Sequence, residues 1–172
     1  MIRLYRKSGE RLSPNFRVEE FACKDGEKVV LIDTELVERL QTLRDMLGKP
    51  ININSAYRTL AHNKKVGGQE LSPHLAGQAA DIVCPGYSPS EIAKAAETVG
   101  FRGIGLYDTF VHVDVNPRRC LWDKRGGKLR YVNGFGGVAP EEVDYKALYQ
   151  NALGKNTTIK AALGKLEKSI TA

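Results

Sequence analysis

A chain of 172 residues, 42% of them apolar, is long enough to bury one hydrophobic core and too apolar to be disordered throughout. No apolar run approaches the roughly 20 residues of a membrane span, and Met1-Ile2-Arg3-Leu4-Tyr5-Arg6-Lys7 lacks the apolar stretch of a signal peptide, so cytoplasmic synthesis without a classical signal is expected. The net charge of +6 belongs to the tail: residues 1–117 hold 15 Lys+Arg and 15 Asp+Glu, whereas residues 118–172 hold 11 and 5, which predicts a neutral domain followed by a basic extension with a mild attraction for anionic polymers.

The opening, as far as Cys23, reads as an extended covering segment with an apolar patch at Phe16, Val18 and Phe21. Val29 to Ile32 is apolar. Asp33 is then a good N-cap for a helix in which Leu36, Val37, Leu40, Leu43 and Leu47 recur at helical spacing until Gly48. The alternation Ile51-Asn52-Ile53-Asn54 predicts a half-buried strand that delivers Ser55-Ala56-Tyr57-Arg58. Residues 62–70, with Gly67-Gly68, read as a flexible loop leading into Ser72-Pro73-His74-Leu75-Ala76-Gly77-Gln78-Ala79-Ala80-Asp81. Ile82-Val83-Cys84 is a buried strand stopped by Pro85-Gly86, and Ser88-Pro89-Ser90-Glu91 is a capping box that opens a helix running to Gly100. Two strands, 101–107 and 110–115, flank a turn at Asp108-Thr109 and predict a hairpin. The order is that of an α+β domain with a small antiparallel sheet and flanking helices. Its limits are set at 1–122, with 123–172 as a basic extension of turns and short helices beginning near Val143.

The candidate chemistry lies in two apolar segments that carry charge. A hydrolytic zinc site needs about three protein ligands from His and Asp/Glu and an open position for water, and His74, Asp81 and His112 meet that count. An unpaired imidazole is costly in an apolar setting unless it is ligated or hydrogen-bonded; a pair of hydrogen-bonded core histidines is the alternative. His112 and Asp114 share one strand face by the period of two. Arg58, at the end of a strand, offers a planar fork for a substrate carboxylate, with a structural ion pair as its alternative. Cys23, Cys84 and Cys120 are odd in number and form no CxxC pair, which argues against a disulfide framework or a cysteine zinc site, and they are given no role.

Ser-Ala-Tyr-Arg at 55–58, Asn63 with Val66-Gly67-Gly68, Ser72-x-His74-x-x-Gly77-x-Ala79-Ala80-Asp81, Gly103-Ile104-Gly105-x-Tyr107 and Phe110-Val111-His112-Val113-Asp114 together resemble the M15 family of zinc D-alanyl-D-alanine carboxypeptidases and murein peptidases. The match spans about residues 12–122. The resemblance implies a hedgehog/DD-peptidase-like fold, zinc held by His74, Asp81 and His112, Arg58 gripping a substrate carboxylate, and Ser72, with Tyr57 beside Arg58, lining the substrate pocket. Many members carry their acid/base carboxylate three residues before the last histidine. That position is Thr109 here, so the base is expected to be Asp114 first, or Asp108 from the turn.

The resulting expectation is zinc-dependent hydrolysis of peptidoglycan stem peptides, by a carboxypeptidase or endopeptidase, with a phage endolysin as one setting and the cell wall or periplasm as the site of action. The competing class is a zinc-containing module of the same fold that binds peptidoglycan or a protein without cutting. Specific nucleic-acid binding is not expected, because the basic tail lacks regularly interleaved aromatics.

Overall fold

The computed structural model describes residues 1–137. Eight strands and three helices are found there: β1 (Ile2–Arg6), β2 (Val29–Asp33), α1 (Thr34–Leu47), β3 (Asn52–Ser55), α2 (Leu60–Lys65), β4 (Ala79–Val83), α3 (Pro89–Val99), β5 (Gly103–Leu106), β6 (Val111–Asp114), β7 (Cys120–Asp123) and β8 (Arg130–Tyr131). β1 and β2 form an antiparallel ribbon. The other six form one sheet in the order β3-β4-β6-β5-β7-β8.

Both long helices begin and end where side-chain chemistry dictates. Asp33 accepts the Glu35 N–H at the start of α1, and Gly48, at φ 62°, closes it in the left-handed region that glycine enters without penalty. Ser88 and Glu91 form the expected reciprocal box on α3, and Gly100 ends it at φ 92°. The apolar faces so defined, including Leu36, Leu40, Leu43, Ile92 and Ala96, join Phe16, Phe21 and Phe101 in the core.

Alternation along the strands then divides the sheet. Ala80 and Ile82 of β4, Val111 and Val113 of β6, Ile104 of β5 and Leu121 of β7 point into that core. The register pairs Asp81 with His112, Gly105 with His112 and Trp122, and Gly103 with Asp114 and Cys120. The opposite face of the sheet is therefore the polar one, and it is where function can be built.

The sheet is mixed where the sequence predicts an antiparallel one, because β7 lies parallel to β5. It also continues through residue 122, since β7 reaches Asp123 and pairs with β8. Further on, the buried Glu97 accepts the backbone N–H groups of Phe135 (2.7 Å) and Gly137 (3.0 Å) and pairs with Arg119. The segment 133–137 is thus bonded to α3. The short helices expected near Val143 lie outside the described residues.

One charged network ties α1 to the sheet and makes a pH-dependent contribution. Glu35 meets Arg39 and Arg102, each at 2.9 Å. Burial opposes ionisation of Glu35, but the two guanidinium groups outweigh it and lower its pKa. A carboxyl lowered in the fold contributes stability above its unfolded value, and the contribution is lost as pH falls through the folded value. Because the network is partly exposed, Glu35→Gln is expected to cost about 1 kcal/mol at neutral pH. It should also flatten the loss of urea resistance that the parent chain shows between about pH 5 and pH 3. Parallel pH profiles for parent and variant would remove Glu35 from the acid response.

Candidate metal centre and cleft

Three chain segments converge on the polar face. Asp81 and His112 face each other across β4 and β6. His74 arrives on a single 3-10 turn, Pro73–Ala76, that ends at Gly77 with φ 67°. The turn is fixed from two sides: Gly77 O accepts the Asp33 N–H of β2 (2.9 Å), and His74 O accepts the Arg58 N–H (3.1 Å). A Cβ at Gly77 would lie 2.1 Å from Leu31 O. The glycine of the Ser-x-His-x-x-Gly pattern is therefore required by close approach to β2 as well as by its backbone angle.

The ligand atoms of His74, Asp81 and His112 lie within 4.8 Å of one another, and all three residues are buried. Hydrogen bonding fixes which nitrogen faces the centre. His74 Nδ1 lies 2.6 Å from Ala56 O, an acceptor only, so it donates there and leaves the Nε2 lone pair facing inward. His112 Nε2 lies 3.2 Å from Asp114 Oδ2, which leaves Nδ1 facing inward once the ring is neutral. The inward atoms are close: His74 Nε2 to His112 Nδ1 is 3.2 Å, and Asp81 Oδ1 lies 3.3 and 3.0 Å from the two rings. Two nitrogen lone pairs and a carboxylate oxygen repel at such distances unless a cation sits among them. This donor set fits zinc, with imidazole and carboxylate ligands and each imidazole held from behind.

The titration behaviour agrees. Burial disfavours the His112 imidazolium, but Asp114 and Asp81 outweigh that and push its pKa up to about 9. Burial, with the charge of His112, pushes His74 down despite its hydrogen bond to Asp81. Asp81 is driven far below the usual carboxylate range: burial opposes ionisation, and the two histidines more than reverse it. Without metal, the centre therefore takes one proton in the place of a cation.

Around the centre lies a cleft of about 520 Å³, whose walls include Arg58, Ser72, Asp114, Tyr107, Phe110 and Trp122. Arg58 donates from Nη2 to Asp81 Oδ2 at 2.5 Å and from Nε to Ser55 Oγ at 2.9 Å, so much of its fork is committed to a ligand carboxylate. Asp114 is 5% exposed, and its second oxygen accepts the Asn116 N–H. Gly103 and Gly105 make room for side chains of the neighbouring strands: a Cβ at Gly103 would lie 1.9 Å from the Asp114 carboxylate, and one at Gly105 would lie 2.4 Å from the Trp122 ring. Trp122 uses that space to reach the His112 ring, at 5.2 Å between centroids.

Of the residues singled out in the sequence, His74, Asp81, His112, Arg58, Ser72 and Asp114 meet in this cleft. Two others do not line it. Asp108 accepts the Gly126 N–H in the turn after β7, and Tyr57 packs half-buried against the core, with its backbone N–H on Phe21 O. Sequence reasoning missed Trp122 and the two floor glycines. Their signal was present in Gly103-Ile104-Gly105, where the residues facing the site are exactly those lacking side chains.

A family model for Peptidase M15 matches residues 14–114, which contain His74, Asp81 and His112. The chain belongs to the M15 peptidase family. Among curated relatives, the Escherichia coli K12 peptidoglycan L,D-endopeptidase MepK is 36% identical over 101 residues, 54% of this chain and 56% of that protein. The Shigella flexneri protein of the same name matches equally. The zinc D-Ala-D-Ala carboxypeptidase of Streptomyces albus G is 37% identical over 67 residues, 38% of this chain and 26% of that enzyme. The chain thus spans little more than half the length of the first relatives. No helix among the described residues is long and apolar enough to cross a membrane.

Proposed function

We propose that this M15 peptidase hydrolyses peptide bonds in peptidoglycan stem peptides, as an endopeptidase or carboxypeptidase working at the cell wall, with zinc held by His74, Asp81 and His112. The observation that carries the reading is the convergence of two imidazole lone pairs and one carboxylate oxygen at 3.0–3.3 Å in a cleft of about 520 Å³. Both the relative names and the family support the substrate class. Zinc bound there would supply a Lewis acid for the scissile carbonyl and for water.

The chain's own groups do the rest. Arg58 neutralises the outer oxygen of Asp81 and keeps Oδ1 turned inward. Ala56 O and Asp114 hold the imidazoles in one tautomer each. Ser72 and the aromatic wall line the path of the peptide. Among the described residues Asp114 is the one carboxylate of the cleft wall outside the ligand set, so proton transfer and the holding of His112 both fall to it.

Those two duties separate by mutation. Asp114→Ala is expected to weaken zinc binding by about 10- to 100-fold, because it removes the acceptor behind His112. Asp114→Asn keeps an acceptor and should restore much of that affinity while leaving hydrolysis impaired. Zinc titration and turnover of purified murein measure the two readouts. Unaltered zinc affinity in Asp114→Ala would assign Asp114 to proton transfer alone. Mass spectrometry of the digested muropeptides tests the function itself: zinc-loaded protein that retains murein without releasing a fragment would make this a binding module.

A further inference from the structure

The cleft crosses the strands, so strand order sets what a bound peptide meets. From the β3 end it passes Arg58, then Asp81 on β4, His112 and Asp114 on β6, and Trp122 on β7, with Asp114 and Trp122 covering Gly103 and Gly105 of β5. Two exposed cations line the cleft at the two ends of β7, Arg118 before Cys120 and Lys124 after Asp123. The Lys124 ammonium sits 5.9 Å from the centroid of the Tyr107 ring. Neither charged group has an acidic partner among the described residues. Nearby cations are engaged: Arg119 pairs with Glu97, and Arg125 and Arg130 pair with Asp123. Arg58, the cation at the other end, is bound to Asp81 and is 14% exposed.

We infer that Lys124 forms a subsite for a carboxylate of the peptide substrate, on the side of the metal centre opposite Arg58. β7 lies two strand spacings from β6, about 10 Å, which an extended peptide covers in about three residues. The carboxylate recognised therefore belongs to a residue about three positions from the scissile bond rather than to one adjoining it. The stacked Tyr107 and Phe110 rings, 4.3 Å apart, and the Trp122 indole form an apolar wall beside Lys124. Such a wall displaces water and strengthens an ion pair formed against it. Calling the ligand a substrate rests on the hydrolytic function proposed above; its binding chemistry does not.

Trp122 is the sole tryptophan of the chain, so its emission reports occupancy whether or not the peptide is cut. The probes are stem-type peptides ending in D-Ala-D-Ala or extended beyond the scissile bond, with glutamate or glutamine at the third residue on one side of that bond. For the zinc-loaded full chain, one glutamate peptide is expected to bind about tenfold more tightly than its glutamine twin. In K124Q its Kd should rise to that of the twin, with zinc content and circular dichroism retained, whereas R118Q, at the far end of β7, should keep the preference. Equal Kd values for every pair in the parent chain would overturn the subsite, as would an acid preference that survives in K124Q. Mass spectrometry of the same mixtures separates the two claims. Acid-selective binding without cleavage removes the hydrolytic function and leaves the subsite standing, whereas cleavage without acid preference does the reverse.

Discussion

Replacing His112 with alanine is expected to reduce bound zinc from about one ion per chain to under about a tenth after dialysis, and to abolish murein cleavage with it. His112 supplies one of the inward lone pairs, and its other nitrogen is held by Asp114, so no neighbour can take its place. His74→Ala should behave alike, since its ring is the other inward nitrogen donor. His62→Ala is the control: His62 lies on α2, outside the ligand cluster, and its loss should leave zinc bound. Elemental analysis together with murein digestion decides the matter. Full zinc occupancy and full activity in His112→Ala would sink the metal assignment.

The second large effect concerns the turn that presents His74. Gly77→Ala is expected to destabilise the protein by about 3 kcal/mol or more, from left-handed backbone strain plus a clash that side chains cannot relieve. The atoms in the way, Leu31 O at 2.1 Å and Leu31 C at 2.4 Å, are backbone. Relief must therefore move β2 away from the turn and His74 with it, so zinc affinity should fall as well. Gly67→Ala provides the matched comparison. Its φ of 69° is nearly the same, but nothing lies within 4 Å of the added methyl, so it should cost only about 1 kcal/mol. Urea unfolding of the zinc-free proteins isolates the difference, and equal midpoints would refute the steric account.

Legibility in the sequence followed the locality of the forces. α1 and α3 were readable because cap, apolar period and terminal glycine all lie within one segment. The β5–β6 hairpin was readable from its short turn. β1 was taken for covering chain, since Ile2 and Leu4 stay exposed in the ribbon and show no buried alternation. α2 has six residues and buries only Asn63, so it carries no apolar stripe to read. β7 pairs in parallel with a strand that is not its sequence neighbour, and nothing local announces such a partner.

The site divided in the same way. His74, Asp81 and His112 stood out as polar groups in apolar runs and matched a family pattern, and the fold brings them together. The direction of a turn is decided by tertiary contacts. Asp108 is turned to Gly126 by the chain after β7, and Arg58 is turned to Asp81 by the pairing of β3 with β4. Neither outcome can be read from neighbouring residues alone.

The glycines of β5 limit how this protein can be made hardier. Each weakens an interior strand by roughly 0.5–1 kcal/mol relative to alanine, and the usual remedy of exchanging glycine for a better strand former is closed. The volume over Gly103 belongs to Asp114 and that over Gly105 to Trp122. Any gain in strand propensity would push a carboxylate or an indole into the space that a ligand needs. Thermal robustness must therefore be selected elsewhere, and the strand in the middle of the polar face is committed to remaining intrinsically weak.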